Sequence, residues 1–202
     1  FRSISYLDAD RRAQLVDTIL DEALGCRLDP LFVLAVGDVE SKLDHEAVSP
    51  TGARGLFQLI PATWKSEVQR RGLGRLEKFN VAHNAKVGVG YLCHLTQSFR
   101  RPDSILLAYN QGPGEALAVI KGEHEATPEG AAYAPAVWAA YKRFLARFHL
   151  PTDLMSMRRL ARAPEQTIYT PVLGFSGDGH PIDPPPKKPA KKKPPVMVAR
   201  SP

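Results

Sequence analysis

The segment PLFVLAVGDVES, residues 30–41, constrains the fold more than any other part of the chain. Asp29 followed by Pro30 combines a helix cap with a proline at the first helical position, so a helix begins here. Apolar residues occupy most faces of this helix, and such a helix is buried by other elements on most sides. We therefore predict that it is the central helix of the domain. Near its end stands one carboxylate, Glu40.

Amphipathic patterns in the first 150 residues indicate that helices surround this segment. Apolar residues recur at helical spacing over about 8–24, 61–71, 81–99, 103–109, 114–121 and 131–148. Gly25 is expected to end the first of these helices, and the stretch 44–58 is predicted to be a loop. Within 81–99, Gly88 and Gly90 are expected to let another backbone approach closely. No alternating strand pattern precedes residue 165, so the fold class is all-α.

The C-terminal part of the chain has a different composition. Residues 151–183 are predicted to be an extension that packs on or near the domain. Its short apolar part, 169–175, is expected either to form a strand or to pack on the domain, and residues 184–202 are predicted to be a flexible Pro/Lys-rich tail. Residues 151–202 carry 9 Lys and Arg against 4 Asp and Glu, so most of the net charge of +6 lies there.

A basic tail suits an anionic neighbour, such as a cell-wall component, nucleic acid or a membrane surface, or a protein partner. Its lysines are interleaved with prolines and no aromatic residue accompanies them. A solvated tail is the preferred interpretation, and no nucleic-acid partner is expected.

Neither a membrane span nor a metal site is predicted. No stretch approaches the roughly 20 apolar residues that a spanning helix needs, and an export signal removed before Phe1 would leave no trace here. Cys26 and Cys93 lack metal-site spacing. A disulfide would fit an exported protein, but two buried free thiols are favoured because cysteine generally prefers burial. His45 is expected to be a surface residue rather than a ligand, and no cofactor is implied.

Glu40 is a candidate general acid because of its position. A carboxyl at the end of a buried helix is partly desolvated, and its pKa is then raised. It can keep a proton near neutral pH and donate it to a leaving oxygen, as glycosidic cleavage requires. Position alone favours an ordinary surface glutamate. The next loop, however, supplies Gly52 and Gly55, where the main chain can approach a ligand, and Ser49 and Gln58, whose polar groups suit sugar hydroxyl and N-acetyl groups.

Five sequence elements together resemble the catalytic domain of the soluble lytic transglycosylases, the goose-lysozyme-like enzymes that cleave bacterial peptidoglycan. They are Glu40-Ser41, AVSPTGARGLFQLIP at 47–61, NAKVGVGYL at 84–92, AYNQGPG at 108–114, and Glu129 with Tyr133. Their order and spacing are similar to those of the family, and the resemblance covers about residues 15–148. It implies that residues 1–150 form a lysozyme-like catalytic domain that acts on peptidoglycan glycan strands.

The resemblance also implies roles for individual residues. Glu40 is expected to be the single catalytic acid/base, Ser49 and Gln58 to surround the acetamido sugar, Tyr109 to hold or orient Glu40 with Asn110 beside it, and Tyr133 to line the same cleft. Ser41 is expected to support the helix end. The chain departs from the family pattern at Phe57, Gln111 and Gly130, where methionine, alanine and threonine are usual. These departures concern the lining of the cleft.

The reaction implied is cleavage between N-acetylmuramic acid and N-acetylglucosamine with a 1,6-anhydro product. A hydrolytic lysozyme would usually need a second carboxylate. Asp38 is expected to point away from Glu40, and Asp44 and Glu46 are interpreted as solvated loop charges, so a lyase is favoured over a lysozyme. A non-catalytic glycan-binding module of a wall-spanning apparatus is a further alternative. The expected location is the periplasm or cell envelope, with a phage or secretion apparatus left open.

Overall fold

The structure is a computed structural model that describes residues 7–148. Its helices are α1 (Ala9–Cys26), α2 (Pro30–Ser41), α3 (Pro61–Arg70), α4 (Val81–Ser98), α5 (Pro102–Gln111), α6 (Pro113–Ile120) and α7 (Pro128–Arg147). No strand occurs among these residues, which confirms the all-α class. The predicted extension 151–183, its short apolar part 169–175 and the tail 184–202 lie outside the described residues.

The central position of α2 is confirmed. Seven consecutive residues, Phe32–Asp38, are buried, with α7 packed along one side and α1 along another. Phe32 lies against Trp138 and Tyr141 of α7, with ring centroids 5.4 and 6.3 Å away. At the start of α2, the Tyr141 hydroxyl donates a hydrogen bond to Asp29 at 2.6 Å. The apolar segment thus takes its neighbours mainly from the far end of the domain sequence.

The end of α1 was predicted wrongly. The helix passes Gly25 and continues to Cys26, and the residue in the left-handed region is Arg27, with φ 63°. The Leu28 N–H closes the turn on Ala23 O at 2.9 Å, and the Leu28 side chain is buried. This is the Schellman arrangement, in which an apolar residue after the cap fixes the helix end. The end of α1 is therefore set by the burial of Leu28 and not by the flexibility of Gly25.

The preference for free thiols was also wrong. Cys26, the last residue of α1, and Cys93, within α4, form a disulfide with Cα atoms 5.6 Å apart. Both cysteines are half-buried. The two residues are 67 positions apart in sequence, so spacing gave no indication of their contact. The disulfide joins two helices that pack on each other.

Gly88 and Gly90 admit side chains, whereas another backbone was expected. A Cβ atom at Gly88 would lie 2.5 Å from Cβ and Cγ of Phe57, and one at Gly90 would collide with the Arg71 guanidinium. Arg71 also donates to Lys86 O at 2.6 Å and forms an ion pair with Glu22. Each glycine is therefore a contact point at which α4 accepts another element.

The first prediction concerns the disulfide. In the chain-entropy model, a cross-link over this separation stabilises the native state by about 4 kcal/mol. Cys26→Ser combined with Cys93→Ser should therefore lower the free energy of unfolding in urea by roughly that amount. A thiol reductant should shift the wild-type transition in the same direction and leave the double variant unaffected. Identical midpoints for wild type and double variant would contradict the prediction.

Candidate active site

The end of α2 is fixed by a buried leucine. After Ser41, Lys42 adopts the left-handed conformation with φ 58°, and the Leu43 N–H closes on Gly37 O at 3.4 Å. Leu43 is fully buried. A side chain at Gly37 would place its Cβ 2.9 Å from the Leu43 Cδ2 atom, so glycine leaves space for the leucine. This packing sets the position of the preceding turn, which carries Glu40.

Glu40 meets a tyrosine from α7. The Tyr133 hydroxyl donates a hydrogen bond to Glu40 Oε1 at 2.5 Å. The pKa of Glu40 is raised from 4.5 to about 7. Desolvation is the largest cause, the hydrogen bond from Tyr133 lowers the pKa, and the nearby charge of Glu129 raises it. A carboxyl with this pKa is about half protonated at neutral pH and can give or take a proton.

Tyr109 was expected to hold or orient Glu40, and its hydroxyl has a different partner in the structure. Its hydroxyl donates to Phe57 O at 2.8 Å, so among the described residues the hydroxyl that reaches Glu40 is that of Tyr133. Burial raises the pKa of Tyr109 well above its usual value, and the charge of Glu40 adds to this effect. Tyr109 is therefore near Glu40 but holds the backbone of the loop. The sequence pattern named both tyrosines and could not distinguish their partners.

The loop 44–58 is more ordered than its composition indicated. Isolated antiparallel bridges join Val48 to Arg54 and Arg54 to Leu59. The Ser41 hydroxyl donates to Leu56 O at 2.9 Å, which is the structural role expected of Ser41. This contact ties the end of α2 to the loop directly beside Glu40.

Two predicted sugar contacts, Ser49 and Gln58, also hold the loop. Ser49 Oγ accepts the Ala53 N–H at 3.0 Å. The Gln58 side-chain amide donates to Ala47 O at 3.1 Å and to Gly55 O at 2.8 Å. Within the described residues the Gln58 amide oxygen has no hydrogen-bond partner. Contact of these groups with a sugar stays a prediction.

Asn84 begins the NAKVGVGYL element of the family pattern, but the sequence gave it no role. It is fully buried in α4. Its side-chain oxygen accepts the Phe57 N–H at 2.9 Å, and its amide donates to Arg54 O at 3.1 Å and Lys78 O at 2.8 Å. The Asn84 side chain and Lys78 O also fill the space where Gly55 lacks a Cβ. The absence of a side chain at Gly55 therefore serves this packing, not the approach of a ligand that we expected.

Three further residues named from the sequence lie in α5, in α2 and in the loop that follows α2. Asn110 follows Tyr109 in α5 and is half-buried; its sugar contact stays a prediction. Asp38 points away from Glu40, as expected, and pairs with Arg143 at 2.8 Å. Asp44 accepts the Glu46 N–H at 2.9 Å.

His45 was expected at the surface, but it is buried and its Nδ1 atom has no hydrogen-bond partner in the described part of the chain.

Two departures from the family pattern are coupled in space. The side-chain amide of Gln111 contacts the Thr127 hydroxyl and occupies the position that a Cβ atom at Gly130 would take. The larger residue at 111 is thus accommodated by the smaller one at 130, at the start of the helix that carries Tyr133.

Comparison with known proteins assigns the family. The family model for the transglycosylase SLT domain matches residues 17–129 of the sequence. The chain belongs to this family. A membrane-bound lytic murein transglycosylase C from Histophilus somni is 32% identical over 128 residues, covering 56% of this chain and 35% of that protein. The chain thus spans about a third of the length of this relative.

Solved structures with the same fold are larger transglycosylases. An inactive glutamate-to-glutamine mutant of lytic transglycosylase Slt from Pseudomonas aeruginosa is 23% identical, with a TM-score of 0.59, over 67% of this SLT-family chain and 24% of that one. The 70-kDa soluble lytic transglycosylase of Escherichia coli is 24% identical, with a TM-score of 0.56, over 64% and 24%. The expected family and the lysozyme-like fold are confirmed. In residues 7–148 no helix has the length and apolar character needed to cross a membrane.

The raised pKa of Glu40 predicts a pH-dependent stability. Folding raises this pKa from 4.5 to about 7, so between these values the folded state holds more protons than the unfolded state. The free energy of unfolding should therefore decrease by up to about 3 kcal/mol as pH rises through this window. Glu40→Gln has no carboxyl to ionise, so it avoids this loss and should have a higher free energy of unfolding than wild type above pH 7. The difference between the two proteins should disappear below pH 4.5.

Urea unfolding at a series of pH values measures this difference, with Glu46→Gln as the matched control. Glu46 is an exposed carboxylate in the same region, and its variant should follow the wild-type curve. Parallel curves for wild type and Glu40→Gln would show that Glu40 titrates normally.

Proposed function

We propose that this protein is a peptidoglycan lytic transglycosylase with Glu40 as its single acid/base. The observation that carries the proposal is the hydrogen bond from Tyr133 to a desolvated Glu40 whose pKa is about 7. Membership of the SLT domain family supports the reaction class. The inactive glutamate-to-glutamine mutant of the P. aeruginosa relative is consistent with one glutamate being essential in that protein.

The first step is acid catalysis. Protonated Glu40 gives its proton to the oxygen that bridges N-acetylmuramic acid and N-acetylglucosamine, and the bond from that oxygen to the muramic anomeric carbon breaks. Positive charge develops at the anomeric carbon, where the neighbouring acetamide oxygen can stabilise it. The Tyr133 hydroxyl keeps the carboxyl in one orientation, which proton transfer requires.

The second step uses the same group as a base. Glu40, now ionised, removes the proton from the C6 hydroxyl of the muramic sugar, and the C6 oxygen bonds to the anomeric carbon. The product is a 1,6-anhydro sugar, no water is consumed, and Glu40 is protonated again. A pKa near 7 suits a group that must be both a competent acid and a competent base.

A hydrolytic lysozyme is the second candidate, and Glu129 is the observation that favours it. Its charge raises the pKa of Glu40, so it is the carboxylate whose influence reaches the site. Hydrolysis usually uses a second carboxylate, either as nucleophile or to activate water. Sequence reasoning had considered Asp38, Asp44 and Glu46 for this purpose. We favour the lyase because Glu129 is exposed and is therefore well solvated.

Location and further partners belong to the same proposal. The disulfide between Cys26 and Cys93 fits an oxidising compartment such as the periplasm or cell envelope.

The basic tail would contact an anionic wall component or a protein partner. Full retention of sacculus binding at low salt after removal of residues 180–202 would contradict a role of the tail in docking.

The product distinguishes the candidate functions. Mass spectrometry of fragments released from purified peptidoglycan should find anhydro-muropeptides for wild type and none for Glu40→Gln. Glu129→Gln should keep producing anhydro ends, because the lyase does not require this group. Reducing ends that disappear in Glu129→Gln would instead identify a lysozyme. Absence of products from wild type would favour the glycan-binding module.

Loss of the Tyr133 hydroxyl should alter the pH profile. Tyr133→Phe removes the hydrogen bond that lowers the pKa of Glu40, so this pKa should rise above 7 and the alkaline limb of kcat/KM should move to higher pH. Loss of orientation should reduce kcat by roughly 10- to 100-fold, part of the usual contribution of a positioned acid. Tyr141→Phe, which removes a buried hydroxyl from the same helix, should leave the limb in place. An unshifted limb in Tyr133→Phe would contradict the assignment.

A further inference from the structure

The end of α5 is bound to both elements that meet at Glu40, the loop and α7. Tyr109 binds the loop, because its hydroxyl donates to Phe57 O at 2.8 Å. Gln111, the last residue of α5, binds the start of α7, because its side-chain amide donates to the Thr127 hydroxyl. No step of the proposed mechanism uses Gln111, so the purpose of its contact is open.

The partner of Gln111 is the residue that caps α7. Thr127 occupies the N-cap position, and its hydroxyl oxygen also accepts the Gly130 N–H at 3.1 Å. One oxygen atom therefore receives a donor from α7 itself and a donor from α5. Because an N-cap that binds the free N–H groups fixes the first turn of a helix, Gln111 acts on the position of that turn.

The Gln111 side chain also packs directly on the first turn of α7. Gly130 is buried, and a Cβ atom there would collide with the amide group of Gln111. The two positions therefore share one volume, which is filled from α5 and not from α7. Emptying or overfilling such a volume shifts the neighbouring elements. This contact thus sets the separation between the end of α5 and the start of α7.

The next turn of α7 carries the residue that binds Glu40. Tyr133 follows Gly130 by three positions, which is about 4.5 Å along the helix axis. Its hydroxyl donates to Glu40 Oε1 at 2.5 Å. A hydrogen bond weakens steeply when its distance and angle depart from their best values. A displacement of the start of α7 therefore weakens the contact between Tyr133 and Glu40.

Stability alone does not explain a glutamine at position 111. Its amide oxygen is buried and has no hydrogen-bond partner within the described residues. A buried carbonyl group without a partner costs free energy. A smaller side chain at this position would avoid that cost. What the glutamine contributes is its contact with Thr127 and Gly130.

We propose that Gln111 is a positioning residue that holds the first turn of α7, and with it the Tyr133 hydroxyl, against Glu40. It acts through the hydrogen bond to Thr127 and the contact with Gly130, and its effect reaches the substrate through Tyr133. The inference rests on the proposed function, because it gives Gln111 a role in the reaction that Glu40 catalyses.

The test follows the titration of Glu40 in two variants that disturb the contact in opposite ways. Gln111→Ala removes the amide, and Gly130→Thr forces a second side chain into the same volume. The midpoint is read from the carbon-13 shift of the Glu40 carboxyl, assigned by its absence in Glu40→Gln. The exchanged residues are all uncharged, so Tyr109, Glu129 and Tyr133 keep their charges and a moved midpoint reports geometry.

Both single changes should weaken the Tyr133 hydrogen bond. Because this bond lowers the pKa of Glu40, the midpoint should move to higher pH in each variant. The kcat should fall by about two- to tenfold, the range that corresponds to one hydrogen bond of ordinary strength, with little change in KM. Gln111→Asn, whose amide is one carbon shorter, and Gly130→Ala repeat the test if either larger change prevents folding.

The combination of Gln111→Ala with Gly130→Thr provides a rescue. The threonine side chain fills the volume that the amide has left, so kcat and the midpoint should return towards the wild-type values. Recovery of this kind is expected of residues that share a contact. Ala131→Thr is the matched control, because Ala131 is exposed and lies about 160° around the helix from Tyr133; it should match wild type. A double variant as impaired as the two single changes combined would contradict the inference.

A last comparison separates this inference from the proposed reaction. If Gln111 acts through Tyr133, Gln111→Ala should leave the Glu40 midpoint unchanged when Tyr133→Phe is already present. The titration needs no turnover, so wild type that releases no products would contradict the proposed function alone. The inference would be overturned by a midpoint that stays in place in Gln111→Ala, that falls because water enters the site, or that moves equally in the Tyr133→Phe background.

Discussion

The burial of Phe57 is the constraint on which the site depends. Its side chain is fully buried, lies where Gly88 of α4 leaves space for it, and reaches Gly37 of α2 with the tip of its ring. Its N–H binds Asn84 and its carbonyl accepts the Tyr109 hydroxyl. One loop residue therefore contacts α2, α4 and α5 at once. Because Ser41 also binds the neighbouring Leu56 carbonyl, the loop and the end of α2 cannot move independently, and Glu40 is held against α7.

This arrangement creates the electrostatic state of Glu40. The carboxyl is withdrawn from water by the same packing that fixes it, and Tyr133 satisfies one of its oxygens. Desolvation outweighs the hydrogen bond, so the pKa rises to about 7. If the Glu40 carboxyl were solvated, it would ionise with an ordinary pKa and would no longer be protonated near neutral pH, so the site would lose its general acid. Raised pKa values at strained or desolvated sites are a common feature of catalytic groups.

Much of the fold could be predicted because the information is local. Helical periodicity and proline at first-turn positions placed α2, α3 and α4 nearly at their observed bounds. Predictions failed where an end or a contact depended on distant packing. Burial of Leu28 moved the end of α1 past Gly25, and the proximity of α1 and α4 joined Cys26 to Cys93. The burial of His45 is likewise a feature that local sequence patterns did not predict.

The sequence by itself determined that a glutamate ends a buried helix, that a glycine-containing loop follows, and that two tyrosines accompany them. Residue type and spacing are enough for these conclusions because they reflect helix geometry and family pattern. Only the tertiary structure decided that Tyr133 reaches Glu40 while Tyr109 holds Phe57, and that the Asn84 amide binds the backbone carbonyls of Arg54 and Lys78. Hydrogen-bond partners are chosen by distance and direction within a packed interior, and residues far apart in sequence meet there only after folding.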